Sequence, residues 1–253
     1  MIRHQALERE HLPHRDVNKA QFVGTVTDLI SPNDDGPSPR PQAFLVEQTP
    51  NWSLTPHFHE EHQFQVFVQG TGSLGNTPVH LHDVHYASPH TGYGPLKSGE
   101  QGISYLTLRA VGDTGAWYLP ESRERNLRIP KVSAHASATV LPCAALLALT
   151  APRTEVLIQT RESGLAAWLL HLGPKQTLPP PADAELGGGR FWVVTQGTLS
   201  VGDTEIPPPG VVWVGAQDHL DIVAGPQGLT LQVLQFPAEA AQSFRQAHPE
   251  LMP

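Results

Sequence analysis

PHFHEEHQFQVFVQG, residues Pro56 to Gly70, is the segment from which the fold and the site of this chain are inferred. His57 and His59 stand two positions apart, so on a β-strand their side chains point to the same face. Gln63 shares that face if the strand register continues. The pattern predicts that these three side chains converge inside a small β-barrel. His62 falls on the opposite face, but a bulge in the Glu-Glu-His stretch would make it an alternative ligand.

The rest of the chain is rich in short apolar segments that are bounded by turn residues. Such segments, separated by Gly, Pro or Asn, are typical of β-strands. Helices are predicted only for the charged first dozen residues and for Ala238 to His248. The chain is therefore predicted to be nearly all-β. The predicted strands are Phe22–Ile30, Ala43–Gln48, Phe64–Val68, Val79–Tyr86, Ile103–Arg109, Glu155–Gln159, Leu165–Leu172, Phe191–Thr195, Val211–Val214, Leu220–Ala224 and Leu229–Phe236.

An internal repeat indicates two similar units. FQVFVQGTGSLGN at Phe64 to Asn76 resembles FWVVTQGTLSVGD at Phe191 to Asp203. Further along, SGEQGISYLTL at Ser98 to Leu108 resembles AGPQGLTLQVL at Ala224 to Leu234. Two matches in the same order predict a duplicated β-barrel architecture.

The duplication and the length together predict two domains. A chain of 253 residues suits one large or two small domains. We predict an N-terminal domain over residues 1–125, which carries the histidine motif, and a C-terminal domain over residues 135–253. The charged segment Pro120 to Lys131 is the predicted linker.

Composition excludes several function classes. The net charge is −8, and no segment gathers basic residues, so a nucleic-acid surface is not expected. The most apolar stretch, Val140 to Ala151, is too short to span a bilayer and contains Pro142. The charged N-terminus lacks an apolar signal core, and the lone Cys143 fits a reducing compartment. These features predict a cytoplasmic protein that binds neither membranes nor nucleic acids.

The histidine segment resembles the first motif of the cupin superfamily, a His-x-His pair followed by an acidic residue and a glycine. His57, His59 and Gly70 match this motif, and Gln63 occupies the acidic position. A second cupin motif has a Gly-Asp pair, a Pro-x-Gly turn and a final histidine ligand.

HDVHYASPHTGYGP, residues His82 to Pro95, resembles that second motif. Asp83 and Pro89 match it, whereas Tyr93 occupies the position of the final histidine. The resemblance implies two tandem cupin-like β-barrels, or jelly rolls, with few helices. In the second unit, the first-motif ligand positions hold Ala184, Leu186 and Arg190, so only the first unit is expected to bind metal.

The resemblance implies one divalent transition metal, Fe, Mn, Ni, Zn or Cu, held by His57, His59 and Gln63. Neutral imidazoles suit these metals. An amide brings no charge, so the metal would favour an anionic substrate as an additional ligand. Tyr93 is a candidate ligand or acid–base group, and His90, three residues earlier, is the alternative.

We therefore expect a metal-dependent cupin enzyme, dioxygenase-, lyase- or isomerase-like, that acts on a small organic acid or a similar oxygenated metabolite. The alternative is a non-catalytic cupin that binds a metal or a small ligand as a sensor or binding protein. The resemblance also leaves a homodimer open, because cupin barrels often exchange strands or pair sheets.

Overall fold

A computed structural model describes residues 1–8, 10–32, 38–181, 186–247 and 249–251. The chain divides into two compact units. The first barrel comprises residues 9–137 with 243–253, and the second barrel comprises residues 1–8 with 138–242. Strands make up 52% of the structure and helices 7%, which confirms the all-β fold class.

The first barrel is a nine-stranded antiparallel sheet with a short two-stranded ribbon. The sheet order is β12-β9-β7-β10-β4-β3-β2, with β5 on β10 and β8 on β7, and β6 pairs with β11 in the ribbon. The strands are β2 His14–Lys19, β3 Phe22–Ile30, β4 Gln42–Gln48, β5 Ser53–Leu54, β6 His57–Phe58, β7 Gln63–Leu74, β8 Thr77–Val79, β9 Val84–Ala87, β10 Leu96–Arg109, β11 Trp117–Tyr118 and β12 Ser133–Ala136.

The pairing of β7 with β10 places the polar residues of the barrel interior. Because side chains alternate along a strand, directly opposed residues share a face. The opposed pairs on the inner face are Gln63–Arg109, Gln65–Thr107 and Phe67–Tyr105. This face changes from charged to neutral polar to aromatic along the strands.

The second barrel is an eight-stranded antiparallel sheet. Its order is β1-β18-β16-β19-β14-β13, with β15 on β19 and β17 on β16. A cluster of buried apolar side chains, including Trp168, Trp192 and Leu231, forms its core. The strands are β1 Ile2–Ala6, β13 Arg153–Ile158, β14 Ala166–Leu172, β15 Thr177–Leu178, β16 Arg190–Val201, β17 Thr204–Ile206, β18 Gly210–Val214 and β19 Ile222–Gln235.

The predicted N-terminal helix is wrong. Residues Ile2–Ala6 form β1, which pairs with β18, and His14–Lys19 form β2, which pairs with β3. Pairing of β1 with β18, which is distant in the chain, therefore overrides the local charge pattern. This pairing also places residues 1–8 with the second barrel, whereas they were predicted to lie in the N-terminal domain.

The remaining helices are short. At the C-terminal end, a 3-10 turn at Ala238–Ala241 precedes α2 at Gln242–Ala247, while His248 lies outside the described residues. The helix α1, Cys143–Leu147, was not predicted. No helix among the described residues is long and apolar enough to cross a membrane.

Strand boundaries differ from the prediction in the middle of the chain. The predicted strand Val79–Tyr86 is two strands, β8 and β9, with His82 between them at a φ of 71°. The first barrel also extends past the predicted linker, because β12 pairs with β9. The predicted strands Leu220–Ala224 and Leu229–Phe236 are joined in one strand, β19.

The sequence repeat corresponds to a structural repeat. Gly70 in β7 has a φ of 79°, and Gly197 in β16 has a φ of 71°. A Cβ atom at Gly70 would lie 2.2 Å from the carbonyl oxygen of Gly102, and one at Gly197 would lie 2.0 Å from that of Gly228. The matched glycines therefore allow the same close approach of two strands in each barrel.

Candidate functional site

A cavity of about 360 Å³ lies inside the first barrel. None of the described residues that line it is acidic, whereas Arg15, Lys19 and Arg109 are basic. Its apolar walls come mainly from β3, β4 and β11. The lining residues are Arg15, Val17, Lys19, Phe22, Val26, Phe44, Val46, Leu54, His57, His59, Gln63, Gln65, Tyr93, Tyr105, Thr107, Arg109, Thr114, Gly115, Ala116, Trp117 and Tyr118. The cavity therefore suits a small ligand with an apolar body and an anionic or polar end.

His57 is held in a single orientation. Its Nδ1 donates to the carbonyl oxygen of Thr55 at 2.8 Å, which leaves Nε2 to accept from the Tyr93 hydroxyl at 3.1 Å. The Gln63 amide nitrogen donates to the same hydroxyl at 2.7 Å. Burial, followed by the effect of His59, lowers the pKa of His57 to about 3. His57 is therefore neutral near pH 7.

Tyr93 lies opposite His57 because their backbones exchange two hydrogen bonds, at 3.1 and 3.0 Å. Burial raises the pKa of Tyr93, so that it remains a neutral phenol near pH 7. The structure therefore brings His57, Gln63 and Tyr93 together as a hydrogen-bonded chain.

His59 forms a buried pair with Asp113. The distance from His59 Nδ1 to Asp113 Oδ2 is 2.5 Å, which requires a proton between the two atoms. Burial tends to raise the pKa of Asp113, but Arg109 and His59 lower it to about 2, so the proton resides on the imidazole. Burial and Arg109 lower the pKa of His59. His59 is therefore neutral, with Nε2 unprotonated.

Asp113 is fixed by further contacts. Its Oδ1 accepts from the backbone nitrogen of Glu60 at 3.2 Å, and its Oδ2 accepts from that of Gly115 at 3.3 Å. The carboxylate also lies 3.4 Å from Nη2 of Arg109. A carboxylate with this many donors stays ionised and holds the imidazole in one tautomer.

Arg109 lies at the centre of these contacts and is almost fully buried. Its Nε and Nη2 donate to Gln63 Oε1 at 3.0 and 2.8 Å. Nη1 lies 3.4 Å from the amide oxygen of Gln42. Nη2 is 3.5 Å from Nε2 of His59. The barrel thus contains a permanent positive charge that Asp113 balances.

In this arrangement His57, His59 and Gln63 do not fit a divalent metal ion. The Gln63 oxygen that would ligate the metal is bound by Arg109, and a metal ion beside this guanidinium would be repelled. Within the described ranges, no group of three or more His, Cys, Asp or Glu is arranged to hold a metal. Metal binding by these residues stays a prediction.

The two alternative residues lie away from this chain of contacts. His62 Nδ1 is 2.6 Å from the hydroxyl of Tyr86, on the face of the strand opposite to Gln63. Nδ1 of His90 accepts from the backbone nitrogen of Leu127 at 3.4 Å. Neither His62 nor His90 lines the cavity. In the second barrel, Arg190 is buried and Leu186 is exposed, while Ala184 lies outside the described residues.

Arg109 and Asp113 were not predicted as site residues from the sequence. One signal for Arg109 was present, because Tyr105, Thr107 and Arg109 alternate with leucines at the end of an apolar segment. This alternation places a charged residue on the inner face of the barrel. Asp113 follows in a loop, and nothing in the local sequence connects it to His59.

A segment after Asp113 covers one side of the cavity. Its β11 pairs with β6, which places Tyr118 opposite His57. Thr114 donates to a carboxylate oxygen of Glu60 at 2.6 Å. The guanidinium of Arg125 lies 3.5 Å from the centre of the Trp117 ring. These contacts fix the wall that carries Asp113.

Solved structures share this architecture. A protein of Nostoc punctiforme, provisionally described as a dioxygenase, superposes with a TM-score of 0.58 at 14% identity, over 94% of this chain and 84% of that chain. The chain has a cupin fold. A variant of Bacillus subtilis oxalate decarboxylase matches with a TM-score of 0.54 at 12% identity, over 96% of this chain and 83% of that one.

A third cupin-fold structure is a bacterial pirin of Escherichia coli in complex with nickel(II). It matches with a TM-score of 0.51 at 12% identity, over 94% of this chain and 99% of that chain. No family model and no curated protein sequence matches the chain. At these identities the likeness is one of fold, so the chemistry has to be argued from the site.

Proposed function

We propose that the first barrel is an acid–base active site for a small oxygenated organic acid, with His59 as the proton-transferring residue. One observation carries the proposal: Asp113 holds Nδ1 of His59 at 2.5 Å, and the same imidazole lines the cavity. A carboxylate that fixes one ring nitrogen leaves the other nitrogen available as a general base.

The charges around the cavity favour an anionic substrate. Arg109 lines the cavity at its buried end, and the described lining has no carboxylate of its own. The exposed Lys19 and the partly exposed Arg15 add positive charge, although Arg15 also lies 3.4 Å from Asp28. A substrate carboxylate at Arg109 would offset the positive charge beside His59. Binding of an acid would therefore make His59 a stronger base.

The proposed step is removal of a proton next to a carbonyl or carboxylate group. The C–H bond breaks, the proton moves to Nε2 of His59, and the electron pair moves onto the substrate oxygen as an enolate. Arg109 stabilises the negative charge on that oxygen, and neutral Tyr93 lies nearby as a hydroxyl. Return of the proton to another carbon gives an isomerisation. Departure of a β-substituent gives an elimination.

Deuterium exchange tests this step without knowledge of the product. A panel of small hydroxy, keto and unsaturated acids is incubated with the protein in D₂O, and proton NMR follows the loss of each C–H signal. We expect exchange in at least one acid by the wild type, and an about 10²–10⁴-fold slower rate with His59→Gln. The matched control is His62→Gln, which makes the same change outside the cavity and should keep the rate.

Two results would contradict the proposal. Equal exchange rates in the wild type and His59→Gln would remove His59 from the reaction. Tight binding of an acid with neither exchange nor turnover would favour the non-catalytic alternative, a cupin that binds a small ligand.

A metal-dependent cupin enzyme, including a dioxygenase, is the second candidate. The observation in its favour is that the His57 and His59 rings lie 5.2 Å apart. This second candidate requires Gln63 Oε1 to give up its hydrogen bonds with Arg109. Plasma mass spectrometry of untagged wild type and His59→Ala tests it. About one equivalent of a transition metal in the wild type, lost in the variant, would support this candidate, as would exchange or turnover that chelators abolish.

A further inference from the structure

We propose that Gln65, Thr107 and Tyr105 form a second polar subsite in the same cavity, which selects acids that carry an additional neutral hydroxyl or carbonyl oxygen. The inference rests on the proposed function, because it takes the ligand carboxylate to lie at Arg109. The three side chains line the cavity and are only 2%, 3% and 3% exposed, respectively.

The side chains of these three residues have no hydrogen-bond partner in the part of the chain that the structure describes. The side chains of Gln65, Thr107 and Tyr105 make no hydrogen bond to any described residue, and Gln65 Oε1 is fully buried. An unsatisfied buried polar group costs about 1–3 kcal/mol, so native structures rarely retain one without a water or ligand partner. Gln65 Oε1 is one such group, and the Thr107 and Tyr105 hydroxyls line the same cavity without a protein hydrogen bond, so the set favours a bound molecule as its partner.

The neighbouring opposed pair on the same face differs in its side-chain hydrogen bonds. Gln63 and Arg109 are opposed across the same two strands and bind each other. Gln65 and Thr107 are the next opposed pair on that face, and their side chains make no hydrogen bond to each other or to any other described residue. The Gln63 and Arg109 side chains therefore hydrogen-bond each other, whereas the Gln65 and Thr107 side chains remain available to hydrogen-bond a ligand.

The chemistry of the subsite favours a neutral group. An amide and two hydroxyls both donate and accept hydrogen bonds but carry no charge. Burial raises the pKa of Tyr105, so its hydroxyl stays protonated. On the side away from Arg109, the next opposed residue is Phe67, whose ring centre lies 5.8 Å from that of Tyr105. On β7 and β10 the opposed residues of the subsite, Gln65 with Thr107 and Phe67 with Tyr105, are all uncharged, so a hydroxyl or carbonyl oxygen matches them better than a second carboxylate does.

The strand geometry sets the spacing of the ligand. Thr107 and Arg109 are two residues apart in β10, which corresponds to about 6.6 Å along a strand. The ligand should therefore carry its neutral oxygen on the far side of a ring, or at the end of a short chain, from its carboxylate. The apolar walls, which include Phe22, Phe44 and Leu54, would pack against the carbon skeleton between the two groups.

Isothermal titration calorimetry with two matched pairs of acids tests the subsite. The pairs are benzoate with 4-hydroxybenzoate, and pentanoate with 5-hydroxypentanoate. We expect the wild type to bind the hydroxylated member of at least one pair about tenfold more tightly than its parent. Thr107→Val and Gln65→Met should reduce this ratio to about one, because they remove the hydrogen-bonding groups that only the hydroxylated member uses. The control Thr27→Val makes the same change at a buried threonine outside the cavity lining and should keep the ratio.

The outcomes separate the two proposals. Equal affinities of parent and hydroxylated acids for the wild type would overturn the subsite and leave carboxylate binding intact, as expected if water alone fills the space. A preference that survives both Thr107→Val and Gln65→Met would also overturn the subsite. If none of the four acids binds, the carboxylate site fails, and the subsite fails with it.

Discussion

Arg109 donates two hydrogen bonds to the amide oxygen of Gln63 in the centre of the first barrel, at 3.0 and 2.8 Å. Gln63 stands at the position where the cupin motif has an acidic residue. A carboxylate there would compete with Asp113, which lies 3.4 Å from Arg109, for the same guanidinium. The uncharged amide avoids this competition, and Asp113 remains the counter-ion that also orients His59.

This pair leads to a prediction about metal binding. Gln63→Glu alone should not create a nickel site, because Arg109 would bind the new carboxylate. The double variant Gln63→Glu with Arg109→Gln should bind Ni²⁺ at least about a hundredfold more tightly than Gln63→Glu, since a close positive charge is removed. Equilibrium dialysis against Ni²⁺ measures both affinities. Equal affinities of the two variants would show that Arg109 does not oppose a metal.

Asp113 should act as a positioning residue for His59. Asp113→Asn should shift the proton of His59 from Nδ1 towards Nε2 and slow deuterium exchange about 10²–10⁴-fold. Nitrogen-15 NMR of the histidine side chains reports the tautomer, and proton NMR reports the exchange. Asp203→Asn is the matched control, because it makes the same change at an exposed turn of the second barrel. An unchanged tautomer in Asp113→Asn would contradict the assignment.

Arg109 should also matter for stability. Arg109→Met should lower the free energy of unfolding by about 3–5 kcal/mol, because it leaves the buried Asp113 without its cation. Urea denaturation measures the loss. Arg15→Met, which removes a partly exposed partner of Asp28, should cost less than about 1 kcal/mol. A similar small cost for both variants would mean that Asp113 does not depend on Arg109.

The two repeat glycines should be equally intolerant of a side chain. Gly70→Ala and Gly197→Ala should each lower the free energy of unfolding by at least about 2 kcal/mol, because a positive φ and a carbonyl oxygen within 2.2 Å both oppose a Cβ atom. Gly202→Ala is the control, since its φ is also positive, at 58°, but no atom lies within 4 Å of the added carbon. It should cost only about 1–2 kcal/mol. Equal costs at all three positions would show that the close approach is relieved by a shift of the backbone.

The buried residue His85 should make the free energy of unfolding depend on pH in the acid range. Burial, followed by the effect of His135, lowers the pKa of His85 to about 4 from the ordinary value of 6.5. Between these values the unfolded chain binds a proton that the folded chain does not, so the free energy of unfolding falls as the pH falls. His85→Phe should remove about 1.4 kcal/mol per pH unit from that slope between pH 6.5 and 4. Urea titrations at several pH values measure the slope, and an identical slope in the variant would contradict the expectation.

The sequence predicted the parts of the structure that depend on local patterns. Alternation of apolar residues marked Phe22–Ile30 as a strand, and that strand has the predicted bounds. The spacing of His57, His59 and Gln63 placed all three along one cavity. The sequence could not predict that Asp113 belongs to the site, because its contact with His59 joins residues that are distant in the chain. It also could not show that Arg109 would bind Gln63, since this depends on the register of β7 against β10.

The pairing of β1 with β18 has a consequence for the order in which the chain assembles. Ile2 lies opposite Val214, so β1, which precedes the first barrel in the chain, must wait for β18, which follows it, before the hydrogen bonds between them can form. The first barrel, encoded between them, has time to fold while β1 is unpaired. A fragment that starts after the first barrel would expose the edge of β18, and such open edges pair with other chains. Chains that begin downstream of β1 should therefore aggregate unless the strand is supplied as a separate peptide.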